Sequence, residues 1–203
     1  IFLLIFEMMQ ALTGSIVALV TPMDDNGMVD FNALKKLVDW HIQEGTNGIV
    51  AVGTTGESAT LEIAEHLEVI KSMVKYADGR IPIIAGSGSN STAQALKTTS
   101  ESYKIGADFS LLVTPYYNKP SQKGLIEHFL KIADSCDIKQ ILYNVPSRTS
   151  CDLTPDTVKI LSKHENIIGI KESVSSIERI NDLMNVSNEN NDFLVFSGDD
   201  ESF

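Results

Sequence analysis

Cysteine is scarce in this 203-residue chain: there are two, Cys136 and Cys151, with no paired spacing. That argues against a disulfide scaffold and for free thiols in a reducing compartment such as the cytoplasm. Positive charge is also short. Sixteen lysines and arginines face 27 aspartates and glutamates, for a net charge of −11 and a pI near 4.7. Nucleic acid and anionic membrane surfaces are poor partners for such a chain, although a few local cations can still hold an anionic substrate. The histidines His41, His66, His128 and His164 are scattered without ligand spacing, so no metal is expected. No Gly-x-Ser-x-Gly elbow supports a serine hydrolase, and no glycine-rich turn leads into the Gly-Lys-Ser/Thr of a P-loop. The apolar start, Ile1-Phe-Leu-Leu-Ile-Phe6, is too short to span a bilayer and lacks the basic residues and cleavage site of a signal peptide. Glu7 follows at once, and Met8 and Met9 come before the first strand. Residues 1–11 are expected to be an extension outside the domain, with export as the alternative, and 12–203 the domain itself.

What is present is a repeat. Strand-like runs occur at Gly14–Val20, Gly48–Val52, Pro82–Ala85, Phe109–Val113, Gln140–Tyr143, Ile167–Ile170 and Phe193–Phe196. Amphipathic helical stretches lie between them. Asp30 is placed to cap a helix whose Leu34, Leu37, Val38 and Ile42 share a face. Ile63, Leu67, Ile70 and Val74 form the next stripe, and Thr154-Pro155 reads as a helix start. Further helices are expected from about Ser91 to Lys104, Gly124 to Asp134 and Ile177 to Asn185, making seven strands and six helices. Such alternation gives a parallel sheet, open or closed. The open Rossmann type needs a Gly-x-Gly-x-x-Gly turn after its first strand, where this chain has Thr21-Pro22, so a (β/α)8 TIM barrel is favoured. An eighth strand is expected beyond Phe203, and a seven-stranded piece would leave two open edges.

In a barrel the chemistry lies at the carboxyl ends of the strands. Those ends hold Thr54 and Thr55, Tyr116 and Tyr117, Tyr143, Arg148, Lys171 and Gly198, while the opposite ends hold only turn and cap residues. Lys171 directly follows a short buried run. Burial disfavours an ammonium ion, which would give a nucleophilic amine able to form a Schiff base with a ketone or aldehyde. Gly53-Thr-Thr-Gly56 offers backbone N–H groups and two hydroxyls, a nest for a carboxylate or phosphate. Gly86-x-Gly88 reads as a tight turn. Tyr143 and Tyr117 suit proton relay if bonded to another hydroxyl or base, and Arg148 suits a carboxylate. Each of these also has a plain structural reading, as core tyrosine, surface arginine or loop glycine.

Four segments together carry a resemblance. Gly53-Thr-Thr-Gly-Glu-Ser58, Thr114-Pro-Tyr-Tyr117, Tyr143-Asn-Val-Pro-Ser-Arg148 and Gly169-Ile-Lys-Glu172 stand in the order and spacing of the dihydrodipicolinate synthase family, pyruvate-dependent class I aldolases. The likeness runs from about Thr13 to Ser202. It implies a (β/α)8 barrel, a homotetramer, no cofactor, and condensation of pyruvate with aspartate-4-semialdehyde on the diaminopimelate route to lysine. Carried over by position, Lys171 resembles the Schiff-base lysine and Tyr143 the proton donor and acceptor. Thr54 and Tyr117 resemble the rest of the hydroxyl relay, Tyr117 reaching in from a neighbouring subunit. Thr55 resembles the pyruvate-carboxylate site, Arg148 the residue that orients the semialdehyde, and Gly198 a glycine of the pyruvate pocket. A lysine feedback site would use Ser58, Ala59, His66, Asn90 and Tyr116, but Ile63 and Gln94 stand where lysine-sensitive relatives have a histidine and a glutamate. The alternatives are a related pyruvate aldolase such as an N-acetylneuraminate lyase, or an inactive barrel or fragment. Arg148 after Val-Pro-Ser and the paired Thr54-Thr55 favour the synthase.

Overall fold

A computed structural model describes residues 12–190 and 193–199. The apolar start over 1–11, expected to stand apart from the domain, lies outside the described residues. Contacts divide the chain into two compact units. The first runs to Gly86 and takes in Lys104–Phe109, and the second covers Ser87–Tyr103 and continues from Ser110.

In the first unit, β1 (Ile16–Ala18), α1 (Phe31–Gln43), β2 (Gly48–Ala51), α2 (Ile63–Ala77) and β3 (Ile83–Gly86) follow in order. β1 pairs parallel with β2, and β2 with β3, in the registers Val17↔Ile49 and Val50↔Ile84. Parallel strands buried on both faces read as continuous apolar runs, and all four residues of β2 are buried. Asp30 caps α1 as expected, its carboxylate accepting from the N–H groups of Asn32 and Ala33 at 2.9 Å each. α1 buries Leu34 and Val38, α2 buries Val69, Ile70 and Met73, and the two helices pack together. Asp108 accepts from the N–H of Ile83 at 2.8 Å and ties the segment before β4 to the start of β3.

The second unit holds most of α3 (Thr92–Ile105) and β4 (Phe109–Val113), then α4 (Gln122–Ala133), β5 (Lys139–Asn144), α5 (Pro146–Thr149), α6 (Pro155–Leu161), β6 (Ile167–Glu172), α7 (Ile177–Glu189) and β7 (Leu194–Ser197). β4 to β7 neighbour one another in chain order, and β5–β6 and β6–β7 pair parallel. Leu125, Phe129, Leu142, Leu153, Ile170, Leu183 and Phe193 anchor the core of this unit. Full burial of one such side chain contributes about 1.5–3 kcal/mol.

Three local expectations need correction. β6 does not stop at Ile170 but continues through Lys171 and Glu172, because their backbones pair with Tyr143 and Asn144 on one side and Phe196 and Ser197 on the other. Pro146–Thr149, outside the six expected helices, is a one-turn helix, so the described residues hold seven. Gly86 and Gly88 are close-approach positions and not a tight turn: a Cβ at Gly86 would collide with the Val52 carbonyl, and one at Gly88 would lie 2.5 Å from the Val113 nitrogen. No described helix is long and apolar enough to cross a membrane.

Candidate active site

Lys171 is the one partly exposed residue of an otherwise buried strand. Its register partner on β5 is Tyr143, and its partner on β7 is Phe196. Register partners share a face of the sheet, so amine and phenol are brought together by the ladder itself: Lys171 Nζ lies 4.7 Å from the centroid of the Tyr143 ring. Tyr143 is buried, at 7% exposure.

Gly198 follows β7, and its N–H donates to the Glu172 carbonyl at 2.7 Å. A Cβ there would collide with the Ser173 hydroxyl and sit 2.8 Å from Lys171 Cε, so the lysine stem runs where any larger residue would put its side chain. The Ser173 hydroxyl in turn donates to the Gly198 carbonyl at 3.1 Å. Lys171, Tyr143 and Gly198 therefore form one local cluster in the second unit.

Arg148 lies exposed on α5, the turn that leaves the end of β5. Tyr117 follows β4 and is 88% exposed. Its backbone is left-handed, with φ of 71°, an uncommon conformation for a bulky residue. The loop is braced around it: the Tyr117 N–H donates to the Thr149 carbonyl at 3.3 Å, and the Asn118 amide donates to the Asn90 carbonyl at 2.9 Å.

Thr54 and Thr55 belong to the first unit, where both are exposed beyond the end of β2. Their turn is bracketed by left-handed residues, Val52 at φ 52° and Glu57 at φ 61°. Such a conformation is strained for a β-branched residue. It is held closed from below, since the buried Thr21 hydroxyl donates to the Gly56 carbonyl at 2.7 Å and the Ser58 N–H donates to the Gly53 carbonyl at 3.3 Å. The five residues expected for a lysine site divide the same way. Ser58, Ala59 and His66 are in the first unit, where His66 is buried and its Nε2 donates to the Gly86 carbonyl at 2.8 Å. Burial, the largest influence, holds the His66 imidazole below its ordinary pKa. Asn90 and Tyr116 are in the second unit, Asn90 engaged with Asn118.

Four polar residues around the Lys171 cluster escaped the sequence reading: Asn144, Asp152, Glu172 and Arg179. Burial pushes the Glu172 carboxyl up from its usual range, against the pull of Asn144, Arg179 and two backbone N–H groups. Asp152 feels burial too, but the Arg179 guanidinium and the Asn144 amide outweigh it and hold its carboxyl below the usual range. The available signal was positional: Asn144 directly follows Tyr143 just as Glu172 directly follows Lys171.

Comparison with known proteins bears on this arrangement. The family model described as "Dihydrodipicolinate synthetase family" matches residues 11–203. A 4-hydroxy-tetrahydrodipicolinate synthase of Pseudomonas savastanoi pv. phaseolicola is 58% identical over 189 residues, 93% of this chain and 64% of that protein. The chain thus spans less than two thirds of that curated relative. Among solved structures, a chloride-inhibited dihydrodipicolinate synthase from Acinetobacter baumannii complexed with pyruvate has a TM-score of 0.90 and 52% identity, over 93% of this chain and 64% of that one. A monomeric dihydrodipicolinate synthase variant has a TM-score of 0.91 at 36% identity, over 95% and 65%. The fold is accordingly α/β, of the (β/α)8 TIM-barrel class through its seventh strand. Motif order, parallel registers and these matches agree: the chain belongs to the dihydrodipicolinate synthetase family.

Proposed function

We propose that the protein is a 4-hydroxy-tetrahydrodipicolinate synthase, a Schiff-base-forming lyase that condenses pyruvate with L-aspartate-4-semialdehyde on the diaminopimelate route to lysine. The observation that carries the reading is the register pairing of Lys171 with Tyr143, which sets an amine beside a phenol at adjacent strand ends.

In this reading the neutral Lys171 amine adds to the keto carbon of pyruvate, and the carbonyl oxygen leaves as water, giving an iminium ion. The cationic nitrogen is an electron sink. Loss of a methyl proton gives an enamine, whose carbon attacks the aldehyde to form the new C–C bond while the aldehyde oxygen takes up a proton. The semialdehyde's own amine then adds to the regenerated iminium carbon and displaces the Lys171 nitrogen, closing the ring and freeing the lysine. Tyr143 is the assigned proton carrier, with Thr54 and Tyr117 as the rest of the relay, and the steps call for no cofactor. Both substrates are carboxylates. Thr55, in its glycine-flanked turn, is the residue assigned to the pyruvate carboxylate, and Arg148 to that of the semialdehyde. The exposure of Tyr117 suits a residue offered to a second copy of the chain, which fits assembly as a homotetramer. A cytoplasmic location fits the two free thiols.

Borohydride reduction in the presence of pyruvate, followed by peptide mass mapping, tests the reading. A pyruvate adduct on Lys171 is expected, and an adduct elsewhere or none in the whole protein defeats it. Turnover with aspartate-4-semialdehyde rather than N-acetylneuraminate separates the synthase from a related pyruvate lyase.

A further inference from the structure

Directly behind the Lys171–Tyr143 pair the ladder places a second pair, Asn144 and Glu172. Successive strand residues face opposite ways, so this pair points away from the reacting face. It is the centre of a polar knot. The Asn144 amide nitrogen donates to both Glu172 oxygens, at 3.1 and 3.0 Å, and to Asp152 Oδ1 at 2.9 Å. Its carbonyl oxygen accepts from the Leu153 N–H at 3.0 Å. Glu172 Oε1 also accepts from the N–H groups of Ser173 and Val174, both at 2.9 Å. Arg179, at the start of α7, joins the two carboxylates: it donates to Asp152 at 2.6 and 3.0 Å, to Glu172 at 3.2 Å, and to the Leu153 carbonyl at 3.1 Å. The Glu172 side chain is 3% exposed and that of Arg179 is 15% exposed.

Stability alone is a poor reason for such a cluster. Taking two carboxylates and a guanidinium out of water is costly, and well-packed apolar residues of similar volume often do as well or better. What the knot does hold is specific. Asn144 stands at one foot of the Arg148 turn and Asp152–Leu153 at the other, and the bonds among them close that loop at its base. Glu172 fixes the end of β6, one residue beyond Lys171, and the two N–H groups that follow it fix the chain leading to α7.

Resting on the aldolase reading above, we propose that Asn144, Asp152, Glu172 and Arg179 are positioning residues for the reaction. Through them the end of β6 keeps Lys171 against Tyr143, while the base of the loop keeps Arg148 at the angle a carboxylate substrate needs. The two halves act on different steps. Glu172 governs the amine, and Asp152 governs the arginine turn.

The test uses Glu172→Gln and Asp152→Asn in the whole protein, with folding checked by circular dichroism. Rapid borohydride quench measures the rate of imine formation with pyruvate, and steady-state kinetics measures KM for the aldehyde substrate. Glu172→Gln is expected to slow imine formation roughly ten- to a hundredfold, the scale of a small misplacement of a reacting group. Asp152→Asn is expected chiefly to raise KM for the aldehyde, with imine formation changed less than about threefold, since the Lys171 side of the knot stays intact. A merely structural cluster would move both readouts in parallel with the folded fraction, and that result overturns the inference, as do folded variants with unchanged kinetics. Should Glu172→Gln fail to fold, Asp152→Asn carries the test alone, because its side chain is 40% exposed. No pyruvate adduct in the unsubstituted protein would instead remove the aldolase reading itself.

Discussion

A methyl group at Gly198 would have to occupy space already taken by Lys171 Cε, 2.8 Å from the ideal Cβ position. If the proposed aldolase reaction is the activity, Gly198→Ala in the whole protein should push the lysine off its line over Tyr143 and slow pyruvate imine formation about tenfold or more, measured by borohydride quench, with the circular dichroism spectrum unchanged. The placement of Lys171 and Tyr143 near neighbouring strand ends was legible in the sequence, because each belongs to a recognisable motif beside a strand-like run. The polar knot was not. Asn144, Asp152, Glu172 and Arg179 are ordinary polar letters taken singly, and Glu172 meets Asn144 only once a register 28 residues apart in sequence has formed. Nor did Val52 announce its left-handed backbone, since valine favours extended conformations and only the closed turn around Gly53–Gly56 imposes φ 52°.

The helices follow from hydrophobic period and caps. Asp30 is the clearest case, since one short acidic side chain satisfies two N–H groups that would otherwise lack helical partners. Asp30→Ala should lower unfolding free energy by about 1 kcal/mol, and Asp30→Ser should restore most of it, as chemical denaturation would show. Thr154 presents the limit of such reading. It stands at the expected helix start, yet its hydroxyl donates to Gln122 Oε1 at 3.2 Å and accepts no capping bond from α6, so the sequence signal marks the boundary without the bond that usually goes with it. Strand ends were harder still. Lysine and glutamate disfavour strands by propensity, and β6 includes them because neighbouring strands on both sides supply the hydrogen bonds. The one-turn helix α5 is too short for a hydrophobic period to register.

Stability of the molecule as a whole should depend on pH through His128. This ring is 5% exposed, its Nδ1 lies 2.9 Å from the Thr92 hydroxyl, and its Nε2 has no partner among the described residues. Burial pushes its pKa down from 6.5 to about 4. The unfolded chain then binds more protons than the folded one between those values, so the contribution of His128 is complete above pH 6.5 and is lost as pH falls towards 4. The loss reaches about 3 kcal/mol. Thermal melts of the protein and of His128→Gln across that interval should diverge, the substituted protein showing the shallower slope. His66, depressed for the same reason, adds to the trend in both proteins and cancels in the comparison.

The pairing of Tyr143 with Lys171 also bears on how this chain can change over generations. A point substitution alters one side chain and leaves the ladder alone. Gaining or losing a single codon inside β5 or β6 would rotate every later residue of that strand to the other face. In β6 the amine would leave the face it shares with the Tyr143 ring, and in β5 the phenol would leave that of Lys171, so a change of length here separates the pair even where every side chain is kept.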